Sequence, residues 1–163
     1  MRLIIAAVGR VRSAPEQELC DLYCERARGL GAKLGFSKVD LILAETSRAS
    51  TRMKRMADEA SRLITKLPPA THRIALDEAG RSVTSEAFAR HLAKLRDWGV
   101  RDLAFLIGGP DGLAPALKES VNECLAFGPE TWPHLFVRAM LAEQIYRAFA
   151  ILSGHPYHRG TAR

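Results

Sequence analysis

Short continuous runs of apolar residues alternate along this chain with longer stretches in which apolar positions recur every three or four residues. The first run, RLIIAAV (2–8), is bounded by Gly9 and predicts a strand buried on both faces. A helix is predicted over 15–30, opened by Pro15 and ended near Gly29 and Gly31. VDLILA (39–44) predicts the second strand, and a basic helix is expected across 48–66, stopped by Pro68 and Pro69. HRIALD (72–77) predicts the third strand, closed by a turn at Gly80. Thr84 is placed to cap a helix over 84–98. LAFLI (103–107) predicts the fourth strand, followed by GGPDG and a helix across 114–125. A short segment, LAFGPETW (125–132), leads into a long helix from Pro133 to Ser153. Strands alternating with helices predict an α/β fold, a parallel sheet with helices on both faces. Ligands of such sheets bind beyond the C-terminal ends of the strands.

The last predicted helix would be about 30 Å long and carries apolar residues almost all round. Such a helix expects burial on every side, more than a chain of 163 residues readily supplies, so a second copy is expected to cover part of it. Its polar residues divide into two sets. Glu143, Gln144 and Arg147 fall in one arc, whereas His134 and Arg138, four residues apart, share another face.

The length suits one domain, and 47% apolar with 26% charged residues is ordinary for a globular fold. The charge changes the picture more. The net is +6, with 13 Lys/Arg against 8 Asp/Glu in residues 1–70 and 11 against 10 in the remainder. A basic half beside a near-neutral half points to a polyanion such as nucleic acid. Arg10, Arg12 and the helix over 48–66 are its expected contact surface. Three cysteines (Cys20, Cys24, Cys124) form neither a disulfide framework nor a zinc motif, and no metal is expected. No apolar run reaches the roughly 20 residues of a membrane span, and the start lacks a cleavage-site pattern; a cytoplasmic location is expected.

Candidate chemistry gathers at three predicted loops and at the end of the chain. In FLIGGPDGL (105–113), Gly108 and Gly109 remove side chains where a ligand could approach the backbone. The motif has no Walker lysine and no G-x-G-x-x-G, which argues against a P-loop or a standard dinucleotide site. The end of ALDEAG presents Leu76 and Asp77 at the same sheet edge, and FGPETWPH supplies the third loop. Three such loops would suit an adenine and a ribose. In the terminal HPYHR, Pro156 stiffens the backbone. Tyr157 can stack on a base, His158 can carry a proton near neutral pH, and Arg159 can fork onto a phosphate.

FLIGGPDGL, TWPHLFVRAMLAEQIYRAFAILSG and the terminal HPYHR, in this order and with IIAAVGR and ALDEAG before them, resemble the RlmH family over the whole chain. These are SPOUT-class methyltransferases that modify N3 of a pseudouridine in 23S ribosomal RNA. The resemblance implies a homodimer whose C-terminal part is threaded into a trefoil knot. It also implies S-adenosylmethionine as cofactor, held by Leu76, Gly108 and the segment Phe127, Gly128, Pro129, Glu130, Thr131 and Trp132, with one subunit's tail completing the other's active site. Gly128-Pro129-Glu130 stand where serine-rich sequences are common in the family, so contacts there are expected to be mainly through the backbone. The expected catalytic set is His158 as proton acceptor or relay, Tyr157 as the residue that stacks on or orients the base, Arg159 and Arg138 binding phosphate or stabilising the ring anion, and His134 shaping the pocket. Two other readings compete: a SPOUT enzyme with a different nucleotide target, and a non-catalytic RNA-binding protein.

Overall fold

The computed structural model describes residues 1–10 and 13–158. Arg12, expected on the RNA-facing surface, and Arg159, expected in the catalytic set, lie outside the described residues. Five parallel strands form one sheet in the order β2-β1-β4-β3-β5: β1 (Arg2–Val8), β2 (Lys38–Ala44), β3 (His72–Ser82), β4 (Asp102–Ile107) and β5 (Glu123–Ala126). The helices are α1 (Pro15–Gly31), α2 (Arg52–Thr65), α3 (Ser85–Asp97), α4 (Pro115–Ser120) and α5 (His134–Ser153).

The most apolar strands take the centre. Leu3 of β1 stands opposite Val39 on one side and Leu103 on the other. Leu3, Ile4, Ile5, Leu103, Phe105 and Leu106 are wholly buried, because both faces of the sheet are covered. One layer packs α1, α3 and α5 against Leu3, Ile5 and Phe105; the other packs α2 and α4 against Ile4, Ala6 and Leu106. The core flanking α5 comes largely from its own chain: α1 and α3 lie on either side of it, and Phe149 stacks on Phe36 with ring centroids 4.4 Å apart. The large apolar side chain that α5 leaves exposed is Phe136, in its first turn.

Three expectations needed correction. The helix expected across 114–125 stops at Ser120, and residues 123–126 form a fifth strand instead. Asn122 explains the switch: its side chain accepts from Arg73 N at 2.8 Å and its own N–H donates to Arg73 O at 2.9 Å. The chain is thereby pinned to β3, with Leu125 turned into the core. The third strand does not close at Gly80 but runs on to Ser82, with a register shift between Leu76 and Arg81. Gly80 serves that pairing, since a Cβ there would lie 2.5 Å from the Leu125 carbonyl carbon. The second helix begins at Arg52 rather than 48, because Thr51 is extended and its hydroxyl caps Lys54 N.

Candidate active site

The loops after β4 and β5, together with the bulged part of β3, enclose a cavity of about 760 Å³ at the C-terminal edge of the sheet. This size lies within the usual range of small-molecule sites. Its floor is apolar (Leu76, Ile107, Leu125, Phe127, Val137), and polar groups stand at its rim (Asp77, Glu78, Glu130, Thr131, His134). Gly108, Gly109, Gly128 and Trp132 also line it; Pro129 belongs to the same loop but not to the wall.

The two loop glycines are required for a reason other than ligand approach. A Cβ on Gly108 would fall 2.5 Å from the Gly112 carbonyl carbon, and one on Gly109 would fall 2.9 Å from Val8 Cγ1 and 3.2 Å from Glu59 Oε2. The loop therefore doubles back on itself and packs on β1 and α2. It is also tied from outside. Arg55 forks onto Asp111 (Nε to Oδ2 2.6 Å, Nη2 to Oδ1 3.2 Å), and Arg52 Nη2 donates to the Asp111 carbonyl at 3.1 Å. The Arg55 bond holds the Asp111 carboxyl below its ordinary pKa and the Arg55 guanidinium above its own. Buried Glu59 accepts from Ser47 N at 2.9 Å. These ties were not foreseen. The i, i+4 spacing of Arg55 and Glu59 was visible, but their partners lie in other elements.

Across the cavity, the Thr131 hydroxyl donates to Glu78 Oε2 at 2.6 Å, and Lys118 Nζ pairs with Asp77 at 3.0 Å. Gly128 takes a positive φ of 117°, a conformation that favours glycine. The Glu130 carboxylate folds back over it, so closely that a Cβ at 128 would strike Glu130 Oε2. Among the rim carboxylates Asp77 is engaged by Lys118 and Glu78 by Thr131, while Glu130 stands over an apolar floor that suits a flat ring. Among the described residues no group of His, Cys, Asp and Glu is arranged to hold a metal ion.

His134 opens α5 at the cavity wall. One turn on, Arg138 is 1% exposed. Its Nη2 donates to the Val8 carbonyl, while Nε and Nη1 have no hydrogen-bond partner among the described residues. Burial lowers its pKa. Gly9 makes this possible: its φ is 129°, and a Cβ there would come 2.5 Å from Arg138 Nη2 and 3.8 Å from His134 Nε2. Arg138 thus stands behind the cavity wall, and the phosphate contact expected of it is not open in the folded chain.

The tail lies elsewhere. The Tyr157 hydroxyl donates to Glu143 Oε1 at 2.9 Å and sits 3.3 Å from the Tyr23 hydroxyl, with its ring centroid 4.6 Å from that of Tyr146. Burial and these two contacts push the phenol's pKa up, so it stays protonated at neutral pH. His158 Nε2 is 2.9 Å from Glu86 Oε1 on α3. Neither residue lines the cavity of its own chain. The basic helix is also more committed than its composition implied: besides Arg52 and Arg55, Arg62 is engaged by Asp58 (2.7 Å) and by the carbonyls of Glu45 and Thr46. Arg10 pairs with Glu45 at 3.6 Å.

Residues 1–158 match the family described as "Predicted SPOUT methyltransferase". Three bacterial proteins, each called Ribosomal RNA large subunit methyltransferase H, are similar along nearly the whole chain. The one from Nitrobacter winogradskyi is 48% identical over 160 residues, covering 98% of this chain and 100% of its own. That of Phenylobacterium zucineum is 52% identical over 159 residues (98% and 99%), and that of Bradyrhizobium diazoefficiens 47% over 159 (98% and 99%).

Proposed function

This chain belongs to the SPOUT methyltransferase family, and from that premise we propose that it methylates N3 of a pseudouridine in the 23S RNA of the large ribosomal subunit. The observation that carries this reading is end-to-end similarity to proteins named for methylation of large-subunit ribosomal RNA. The β4 and β5 loops that form the cavity fall within the matched span.

S-adenosylmethionine is the methyl donor, and when bound it supplies an electrophilic methyl on a sulfonium centre. Leu76, Gly108, Gly109 and the segment Phe127 to Trp132 would hold it, the apolar floor under its ring and the rim carboxylates near its cationic part. In-line transfer requires the accepting nitrogen to be held close to the methyl carbon. That nitrogen carries a proton that must leave, so a base or a stabiliser of the ring anion is needed. His158 is our candidate for the base and Tyr157 for the residue that orients the target ring. His134 shapes the wall, and Arg159 stabilises the anion. Arg138 acts from behind the wall by fixing the end of β1 and the position of His134.

We further infer a homodimer in which the tail of one chain reaches the cavity of the other. Supporting this, Tyr157 and His158 lie off their own cavity, while Trp132 and Phe136, 43% and 46% exposed, offer an apolar rim beside it. A knotted C-terminal part is what the family resemblance implies. Mass analysis of ribosomal RNA from a deletion strain tests the reading: loss of one methyl from a 23S pseudouridine is expected, and an unchanged methylation map would overturn it. Truncation before His155 is expected to keep cofactor binding and abolish methylation. Full activity after truncation would remove the tail from the site.

A further inference from the structure

On the outer side of α3, Arg90, Lys94 and Trp98 follow at intervals of four residues and so share one stripe. All three are exposed, Trp98 to 68%. The Lys94 ammonium sits 4.4 Å from the centre of the Trp98 ring, which holds cation and indole side by side. Between this stripe and Arg81 near the end of β3 runs a cleft of about 220 Å³, lined by Arg81, Arg90, His91 and Lys94 over Phe88 and Leu125.

The acids around the cleft are already engaged. Glu123 Oε1 is 2.7 Å from His91 Nε2 and 3.3 Å from His72 Nε2, and its Oε2 is 3.7 Å from Arg81. On α3 itself, Glu86 meets His158 and Asp97 accepts from Arg96. Among the described residues, Arg90 and Lys94 have no carboxylate partner. On α2, by comparison, Arg55 and Arg62 are held by carboxylates of the chain, while Arg52 is bonded to Asp111 but stays exposed, as does Lys54.

We infer that the cleft between Arg81 and the Arg90–Lys94–Trp98 stripe is a second RNA-contact surface. It takes consecutive phosphates of the backbone on its three cations and an unstacked base or ribose against Trp98. The inference rests on the RNA-methyltransferase reading above. Cations strung along a groove fit a repeating phosphate chain better than a single anion, and an exposed aromatic at the end of the row suits a nucleobase. Leu125 lines both this cleft and the main cavity. A strand lying in the cleft therefore runs close to the main cavity.

The test uses the full chain with Arg81, Arg90 and Lys94 changed together to Gln, and a second protein carrying Trp98→Ala alone. The probes are large ribosomal subunits from a strain lacking the methylation, and deproteinised 23S RNA. For a single strand, counterion release gives a slope of about 0.7 per phosphate contact, or roughly fourfold in affinity per contact at 0.15 M salt. The triple variant is expected to bind both probes about 10- to 100-fold more weakly, with a log–log salt slope lower by about 2. Its S-adenosylmethionine affinity should remain that of the wild type, which separates loss of the surface from loss of the fold. Trp98→Ala should weaken both probes several-fold without changing the slope, and Arg90→Lys in place of Arg90→Gln in the triple variant should return about 0.7 of the lost slope. Wild-type affinity and slope in the triple variant would overturn the inference. So would weakened binding to subunits with unchanged binding to naked RNA, which would assign the cleft to an acidic ribosomal protein. A wild-type chain that methylates neither probe would instead strike the function reading itself.

Discussion

Two basic helices, α2 and α3, lie on opposite faces of the sheet and use their charge in opposite ways. The arginines of α2 bond to their own chain: Arg55 and Arg52 hold the glycine loop through Asp111, and Arg62 ties the loop before the helix. On α3, Arg90 and Lys94 stand along an open cleft without a carboxylate partner among the described residues, while Arg96 is bonded to Asp97 and the Leu34 carbonyl. Counting cations along the chain favoured the N-terminal half as the polyanion surface. What decides availability is instead whether each cation meets an acceptor when the chain folds, and α2 meets three.

The largest test of this comparison concerns what the helices share. Leu63 on α2 and Leu92 on α3 are both wholly buried. Leu63→Ala and Leu92→Ala should each lower stability by about 2–5 kcal/mol in denaturant unfolding. A much smaller loss on α2 would mean that helix is a surface appendage rather than a brace. The outer faces should then separate. Arg55→Ala frees the glycine loop, and misplacing a substrate-positioning element can reduce turnover by up to about 100-fold. We expect weaker S-adenosylmethionine binding and slower methylation with the RNA salt slope unchanged, the reverse of the pattern expected on α3. A lowered slope with intact cofactor binding would return α2 to the RNA surface.

Smaller effects sharpen the picture at the helix starts. Thr51 and Thr84 both cap through the hydroxyl, accepting from Lys54 N at 3.3 Å and Ala87 N at 3.2 Å. Replacement by Ala should cost about 0.5–2 kcal/mol at either site. Only the Thr51 change should also weaken cofactor binding, because α2 alone grips the loop. The smallest effect is in acid. The Arg55 bond depresses the folded-state pKa of Asp111, so its contribution is complete above the unfolded aspartate value of about 3.9 and is lost as pH falls through the lower folded value. Acid unfolding of Asp111→Asn should lack that part of the decline, and an identical acid limb would show that the tie adds nothing to stability.

Much of this was legible beforehand. Apolar runs located β1, β2 and β4, and Thr84 announced the start of α3. Pro133 and Gly154 bracketed α5. The loops at Gly108–Gly109 and Phe127–Trp132 were placed at one sheet edge, and the structure brings them to a common cavity with Leu76 and His134. What escaped were features whose cause lies in a distant partner. Residues 114–125 looked helical in isolation, and only Asn122's bonds to Arg73 turn their second half into β5. Gly80 looked like a turn until the backbone of Leu125 lay against it.

The sequence alone determined the alternation of strands and helices, the apolar centre of the sheet and the two loops, at Gly108–Gly109 and Phe127–Trp132, that border the cavity, because each is written in local periodicity or a short motif. Tertiary structure alone decided which charges remain available. An ion pair forms between residues such as Arg55 and Asp111, far apart in the chain, and no local pattern encodes it. The same holds for Arg138. Its place beside His134 on α5 follows from helical spacing, but its burial against Val8 and Gly9 follows from the packing of α5 on the end of β1.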